Sequence, residues 1–232
     1  MRSNVVILLE GVLMNGTCVS VVMWCFLWCA MPVSAEKNTR ISEKMFRNHS
    51  TVKTSVVASC TSFDSPQGLP KEFAVIKGDW RVKNGCLHAT EIEADHHAAV
   101  IDYQKKNRDS QLRFSFKYDG STSGFHVSLN KAKGHLFRVI VSSEGFSIVL
   151  DKDKKDSQSK LIKLASAKGA IETGKWHTML VEIKQDAVMV QTDNGLEARA
   201  SHPSLSVLKP GYRFVMRGDS LCVDDLCIWS FD

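Results

Sequence analysis

The sequence predicts an all-β protein, a two-sheet antiparallel sandwich of the jelly-roll type. Short runs alternate between apolar and polar residues with period two, which places one face of each strand against a core. Turn signals built on Gly, Asn and Asp separate these runs at roughly 8–12-residue spacing. No long stretch follows the helical period.

The clearest unit is Glu172 to Ala200. His177, Met179, Val181 and Ile183 alternate with Trp176, Thr178, Glu182 and Lys184. Gln185-Asp186 is a short turn, Ala187 to Thr192 is rich in β-branched residues, and Asp193-Asn194-Gly195 closes a tight hairpin. Asn and Gly tolerate the positive φ that such turns require. In this meander Trp176 and His177 read as packing and sheet-edge residues.

Taken from the start, Val12 to Cys29 is mostly apolar and leads to Val33-Ser34-Ala35, small residues where a signal peptidase reads. The expected organisation is a signal peptide over 1–35, a flexible leader over 36–59 and one jelly-roll domain over 60–232. An uncleaved membrane anchor is the alternative, because the apolar run approaches the length of a span. Either way the chain is exported, to the periplasm, the extracellular space or the cell surface. Removing residues 1–35 takes away one Arg and one Glu, so the net charge stays at +5. The basic run Lys152 to Lys155 is broken by Asp153 and lacks interleaved aromatics, which argues against nucleic acid as a partner. Cys18, Cys25 and Cys29 leave with the signal, and Cys60, Cys86, Cys222 and Cys227 remain. Export permits disulfides, and three pairings are open. Cys222 and Cys227 share one strand-like run, which disfavours a bond between them. No C-x2-C pair suggests zinc. The sequence carries no signature of an oligomeric state.

Phe63 to Pro70 reads as a short strand entering a Pro/Gly loop. Trp80 to His88 is a hairpin turning at Asn84-Gly85. Glu91 to His97 reads as strand-like, followed by an apolar strand from Ala98 to Tyr103. In Gln111 to Tyr118, Leu112, Phe114, Phe116 and Tyr118 share one face and Gln111, Arg113, Ser115 and Lys117 the other. Asp119-Gly120-Ser121 turns the chain into a strand on which Phe125, Val127 and Leu129 alternate with His126, Ser128 and Asn130. Leu136 to Ser142, Phe146 to Leu150 and Leu161 to Ala165 follow as strands. One helical turn is expected in Ala167 to Thr173, and a surface loop in Pro203 to Lys209. Tyr212, Phe214 and Met216 mark the next strand. In the last, Ser220 to Phe231, the apolar phase slips by one residue, which predicts a bulge at Asp224-Asp225.

The order of these features resembles the concanavalin A-like lectin/glucanase jelly roll, and within it the laminin-G-like modules and the 3-keto-disaccharide hydrolase domain family. The matching pieces are Phe63-Asp64, Gly78 to Leu87, Gly134 to Val139, Gly174 to Thr178 and Val223 to Trp229, spread over about 61–232. The opening Phe63-Asp64-Ser65-Pro66 departs from the Phe-Asn-Gly-Lys-like start of the hydrolase family. The resemblance implies a carbohydrate- or cell-surface-binding module. Its alternatives are a glycoside hydrolase of the 3-keto-disaccharide or glucanase type and a structural or protein-binding envelope component.

Candidate site residues follow. Arg113, Ser115 and Lys117, with His126, Ser128 and Asn130 on an expected neighbouring strand, form a polar ligand face; hydrogen-bonding groups of this kind hold sugars. Glu91, Glu93 and Asp95, spaced i, i+2 and i+4, would put three carboxylates on one face of a strand. Two carboxyls about 5–5.5 Å apart suit a retaining glycosidase, and the bland alternative is the polar face of an edge strand, or a loop. The resemblance also implies a structural Ca²⁺ between the first and last strands, with Asp64 and Asp224 as carboxylate ligands; otherwise these groups accept backbone N–H bonds at the bulge. No other cofactor is expected. His96 and His97 read as surface histidines, since adjacent strand residues point to opposite faces.

Overall fold

The computed structural model describes residues 57–64, 68–132, 134–153 and 155–231. The predicted signal peptide and the predicted leader up to residue 56 lie outside the described residues. In chain order the strands are β1 (Val57–Thr61), β2 (Phe73–Lys77), β3 (Asp79–Lys83), β4 (Cys86–Thr90) and β5 (Ala99–Tyr103). Then come β6 (Ser110–Tyr118), β7 (Gly124–Asn130), β8 (His135–Ser142), β9 (Gly145–Leu150) and β10 (Ile162–Lys168). The last are β11 (His177–Lys184), β12 (Ala187–Thr192), β13 (Glu197–Ser201), β14 (Tyr212–Met216) and β15 (Leu221–Ser230). No helix among the described residues is long and apolar enough to cross a membrane.

The strands form two antiparallel sheets. One has eight strands, in the order β13-β12-β11-β6-β15-β4-β3 with β1 also paired to β15; the other has seven, in the order β10-β9-β8-β7-β14-β5-β2. The period-two pattern is the cause of the stacking: each sheet has one apolar face, and both faces must be removed from water together. Strand β6 shows it most clearly, with every second residue from Ser110 to Tyr118 buried. Its aromatics meet those of the opposite sheet. Phe116 lies 4.8 Å from Phe125 and Phe114 5.2 Å from Phe214 between ring centroids, both pairs edge to face. All four rings are essentially inaccessible, and full burial of each such side chain stabilises the fold by about 1.5–3 kcal/mol relative to exposure.

The predicted turns form where Asn and Gly allow them. Asn84 (φ 53°) and Gly85 (φ 73°) both take positive φ between β3 and β4, as a two-residue hairpin requires. The bulge in the last strand is present: the β15–β6 register shifts between Asp224 and Cys227, and Asp225 has φ 48°. β15 also changes its partner there. Its first half pairs with β4, through Leu221, Cys222 and Val223, and its second half with β1, from Leu226 to Ser230.

Several expectations are corrected. The first described strand is Val57–Thr61, so Val57 to Ser59 are strand rather than leader, while Phe63 and Asp64 lie beyond its end. Strand β2 was not expected; its Val75 and Ile76 are about half exposed, which blurs its alternation. The helical turn over Ala167 to Thr173 does not form. Ala167 and Lys168 belong to β10, and the N–H groups of Gly169 and Ile171 donate to Glu144 O and Ser143 O, across the sheet edge. The Pro203 to Lys209 loop is not purely superficial. Leu205 and Lys209 are fully buried, and Lys209 Nζ donates to Arg108 O at 2.7 Å and Val207 O at 2.8 Å, which supplies the partners a buried ammonium needs.

Candidate functional site

The six residues predicted to share one ligand face do not share one. Arg113, Ser115 and Lys117 lie on β6 in the eight-stranded sheet, and His126, Ser128 and Asn130 on β7 in the seven-stranded sheet. The turn at Asp119-Gly120-Ser121 carries the chain across the sandwich instead of folding it into a hairpin. Phe116 and Phe125 therefore face each other through the core, and the polar faces behind them point in opposite directions. A tight-turn signal specifies reversal, not which sheet receives the next strand.

The outward face of the seven-stranded sheet is built in rows set by its register. One row runs Asp102, Arg213, Ser128, Arg138 across β5, β14, β7 and β8. The adjacent row runs Val100, Val215, His126, Ile140 across the same strands. In the first row Arg213 grips Asp102 through two bonds, Nε to Oδ1 at 2.6 Å and Nη2 to Oδ2 at 2.9 Å. Arg138 grips Asp151, just past the end of β9, with Nε to Oδ2 at 3.1 Å and Nη2 to Oδ1 at 2.5 Å. Ser128 lies between the two arginines and donates from Oγ to Arg213 O at 3.4 Å. With strands spaced about 4.8 Å apart, the row from Asp102 to Arg138 is roughly 14 Å long.

The polar side chains of this face are mostly covered. Asp102, Arg213, Arg138 and Asp151 point away from the core, yet their side chains are only 25, 22, 27 and 9% exposed, and Ser128 is buried. The row is also balanced, with two carboxylates against two guanidiniums. His126 is pushed below the ordinary histidine range, first by its burial and then by the positive charge of Arg138. It is therefore neutral at pH 7 and offers one N–H donor and one acceptor nitrogen. Asn130 closes the face at one end, where its Oδ1 is 3.1 Å from His135 Nδ1. The arrangement offers fixed donors and acceptors beside an aliphatic strip, with no net charge along the row.

Sequence reasoning placed His126, Ser128 and Asn130 on this face and missed Asp102, Arg138, Asp151 and Arg213. A usable signal was present for three of them. Asp102, Arg138 and Arg213 are each a lone charge flanked by inward-facing apolar residues. What joins Asp102 to Arg213 is strand pairing across 111 residues of chain, which no local pattern contains.

Arg113, Ser115 and Lys117 belong to the outward face of the other sheet. Arg113 stacks over Trp229 at 5.5 Å and Lys117 over Trp176 at 5.8 Å, while Ser115 Oγ is 3.3 Å from Thr178 Oγ1. Trp176 thus packs outward against a cation and not into the core. His177, by contrast, is buried in the inward phase of β11 as expected. Its Nδ1 is 3.4 Å from Asp193 Oδ1 and its Nε2 3.0 Å from Glu172 O. The adjacent Asp193 carboxylate raises its pKa above the ordinary value against the opposing effect of burial.

Glu91, Glu93 and Asp95 are not on a strand. Glu91 follows β4, and Glu93–Asp95 is a 3-10 turn that ends with His96 in the left-handed region, φ 47°. The physical reason is topological: this connection leaves β4 in one sheet and enters β5 in the other, and an extended strand cannot make that crossing. Glu91 accepts from Gly218 N at 3.0 Å and pairs with Arg217 at 3.1 Å. Asp95 accepts from Gly78 N at 2.6 Å. Both carboxylates pin loops, and the expected common face does not exist.

Asp224 is buried at the bulge, and its Oδ1 accepts the Phe63 N–H at 3.3 Å. Asp64 is exposed. Among the described residues no group of three or more His, Cys, Asp or Glu side chains is placed to hold a metal ion. The geometry fits the backbone-capping role better than a calcium cage, which takes six to eight oxygens.

No family model and no curated protein matches this chain. Solved structures do. The chain is similar to the carbohydrate-binding module CBM66 from Bacillus subtilis, with TM-score 0.56, 11% identity, and 68% of this chain and 96% of that one covered. It is similar to LamAcat from Zobellia galactanivorans at TM-score 0.53 and 11% identity, covering 77% and 98%. The exoplasmic/lumenal domain of VIP36, in its Ca²⁺/Man3GlcNAc-bound form, matches at TM-score 0.52 and 11% identity, covering 74% and 88%. A sialidase matches at TM-score 0.58 and 9% identity, but this chain spans only 19% of its length. At these identities the likeness is one of fold. The fold shared is a two-sheet antiparallel jelly-roll sandwich, with the first described strand paired to the last, matched along most of CBM66, LamAcat and the VIP36 domain.

Proposed function

We propose that the domain is an exported carbohydrate-binding module whose ligand lies along the outward face of the seven-stranded sheet. The observation that carries this reading is the paired, partly covered row Asp102, Arg213, Ser128, Arg138, Asp151 beside Val215 and Ile140. A sugar presents hydroxyls that both donate and accept and a C–H face that is apolar. Two carboxylate–guanidinium pairs flanking a hydroxyl, fixed by mutual pairing, satisfy the sugar hydroxyls without rearrangement. The aliphatic row receives the C–H face. Charge balance along the row favours a neutral glycan over a polyanion. The fold likeness to a carbohydrate-binding module and to an oligosaccharide-bound domain supports this reading.

Binding is favoured over hydrolysis by the state of the carboxylates. A retaining or inverting glycosidase presents one carboxyl to the leaving oxygen and another to the sugar or water. Asp102 and Asp151 each have both oxygens engaged by arginine. Export is supported by the Cys60–Cys227 disulfide between β1 and β15, a bond that persists in oxidising compartments. Mass spectrometry of the secreted protein tests cleavage after Ala35.

The functional test is a glycan array probed with the secreted chain, followed by calorimetry on any hit with Arg213→Ala and Arg138→Ala. Binding of a neutral glycan, weakened at least tenfold by both substitutions, supports the reading. No binding together with turnover in a reducing-end assay overturns it. So does binding that both substitutions leave unchanged.

A further inference from the structure

Four cysteines enter the domain and one bond, Cys60–Cys227, is made. The two remaining, Cys86 and Cys222, are free thiols on adjacent strands of the eight-stranded sheet. Cys222 of β15 pairs with His88 of β4, and Cys86 lies two residues along β4 on the same outward face. A diagonal step of this kind usually leaves Cβ atoms somewhat under about 7 Å apart. Here each thiol perturbs the other's acidity more than any other group does. Cys86 is buried and its Sγ also reaches Lys83 O at 3.5 Å, while Cys222 is half-buried beside Lys117.

We propose that Cys86 and Cys222 form a second disulfide, which ties β4 to β15 as Cys60–Cys227 ties β1 to β15. The placement has a structural logic. β15 is shared along one flank by two short partners, β4 before the bulge and β1 after it. The β4 pairing has only three residue pairs, against five for β1. One cross-link on each side of Asp224-Asp225 would fasten both halves of the closing strand.

The chemistry assigns an order to the two sulfurs. Cys222 is the more acidic thiol, held down by the neighbouring Cys86 and by the nearby Lys117 ammonium, and Cys86 is pushed up by Cys222 and by burial. The Cys222 thiolate attacks one sulfur of a small-molecule disulfide such as glutathione disulfide, and one glutathione thiolate leaves and takes a proton from solvent. Cys86 then gives its proton to solvent, and its sulfur attacks Cys222 Sγ in the mixed disulfide, expelling the second glutathione thiolate, which is protonated in turn. Two protein thiols are oxidised and one glutathione disulfide is reduced to two glutathiones.

The test is disulfide mapping of the full chain. The reduced protein is refolded in a glutathione redox buffer, acid-quenched, alkylated and digested without reductant. A peptide carrying Cys86 linked to one carrying Cys222, beside the Cys60–Cys227 peptide, is the expected result. Recovery of Cys86 and Cys222 as alkylated or glutathione-capped residues while Cys60–Cys227 forms overturns the proposal, as does a cross-link from Cys86 to Cys60 or Cys227. In Cys86→Ser and in Cys222→Ser the remaining thiol should be alkylated and the Cys60–Cys227 peptide retained. Oxidised wild type should melt above oxidised Cys86→Ser/Cys222→Ser, and the difference should shrink on reducing both; equal melting of the oxidised forms also counts against the bond.

Discussion

Arg213 on β14 and Asp102 on β5 stand directly opposite each other in the ladder and are joined by two parallel hydrogen bonds. Such a fork fixes both the position and the plane of the guanidinium, which a single contact would leave free to swing. The pair keeps about a quarter of its side-chain surface exposed, enough for a ligand to reach and little enough for the polar atoms to stay ordered.

Replacing Arg213 by Lys keeps the charge and loses the fork. It should weaken glycan binding nearly as much as Arg213→Ala, by about tenfold, or roughly 1–2 kcal/mol. The cost to folding should be about 1–2 kcal/mol, because Lys keeps a charge beside the largely covered Asp102 but leaves part of the fork unmade. Calorimetry and thermal melting of the same samples separate the two effects; full binding by Arg213→Lys would show that charge alone matters.

Cys60 and Cys227 close a loop with a sequence separation of 167. In the chain-entropy account a loop of that size is worth roughly 5 kcal/mol, and measured effects are often nearer 2–4 kcal/mol. Cys60→Ser/Cys227→Ser should therefore lower the melting temperature substantially under non-reducing conditions. Urea unfolding of wild type and variant, with and without reductant, measures the difference.

The ion pair between His177 and Asp193 makes stability depend on pH. His177 has a raised pKa in the folded state, so folding favours its protonated form. That contribution is complete below the ordinary histidine value near 6.5 and fades as pH rises through the folded value. Asp193→Asn should cost about 1 kcal/mol at pH 6 and clearly less at pH 9. Denaturation curves at the two pH values would refute the coupling if the gap were constant.

Asp224 accepts the Phe63 N–H at the bulge. Asp224→Ala strands that buried donor and should destabilise the domain by about 1–3 kcal/mol. If capping is the whole role, EDTA leaves the melting temperature of wild type unchanged and Ca²⁺ does not raise it. A rise on adding Ca²⁺ that Asp224→Ala abolishes would make Asp224 a calcium ligand.

The sequence by itself determined the strands that alternate, such as β6 and β11, and the β-branched run of β12, together with the Asn84-Gly85 turn and the bulge at Asp224-Asp225. These follow from side-chain period and local backbone preference, which act between near neighbours and so are written in the order of residues. Only the tertiary structure decided that β6 and β7 lie in different sheets, because a turn at Asp119-Gly120-Ser121 reverses the chain equally well within a sheet or across the sandwich. That choice split the predicted ligand face and sent Arg113 and His126 to opposite sides of the protein. It also turned Glu91, Glu93 and Asp95 into a crossing loop, and it set Asp102 beside Arg213. Register between distant strands is fixed by the packing of the whole core, so the row that carries the proposed function exists only once both sheets have closed on their aromatics.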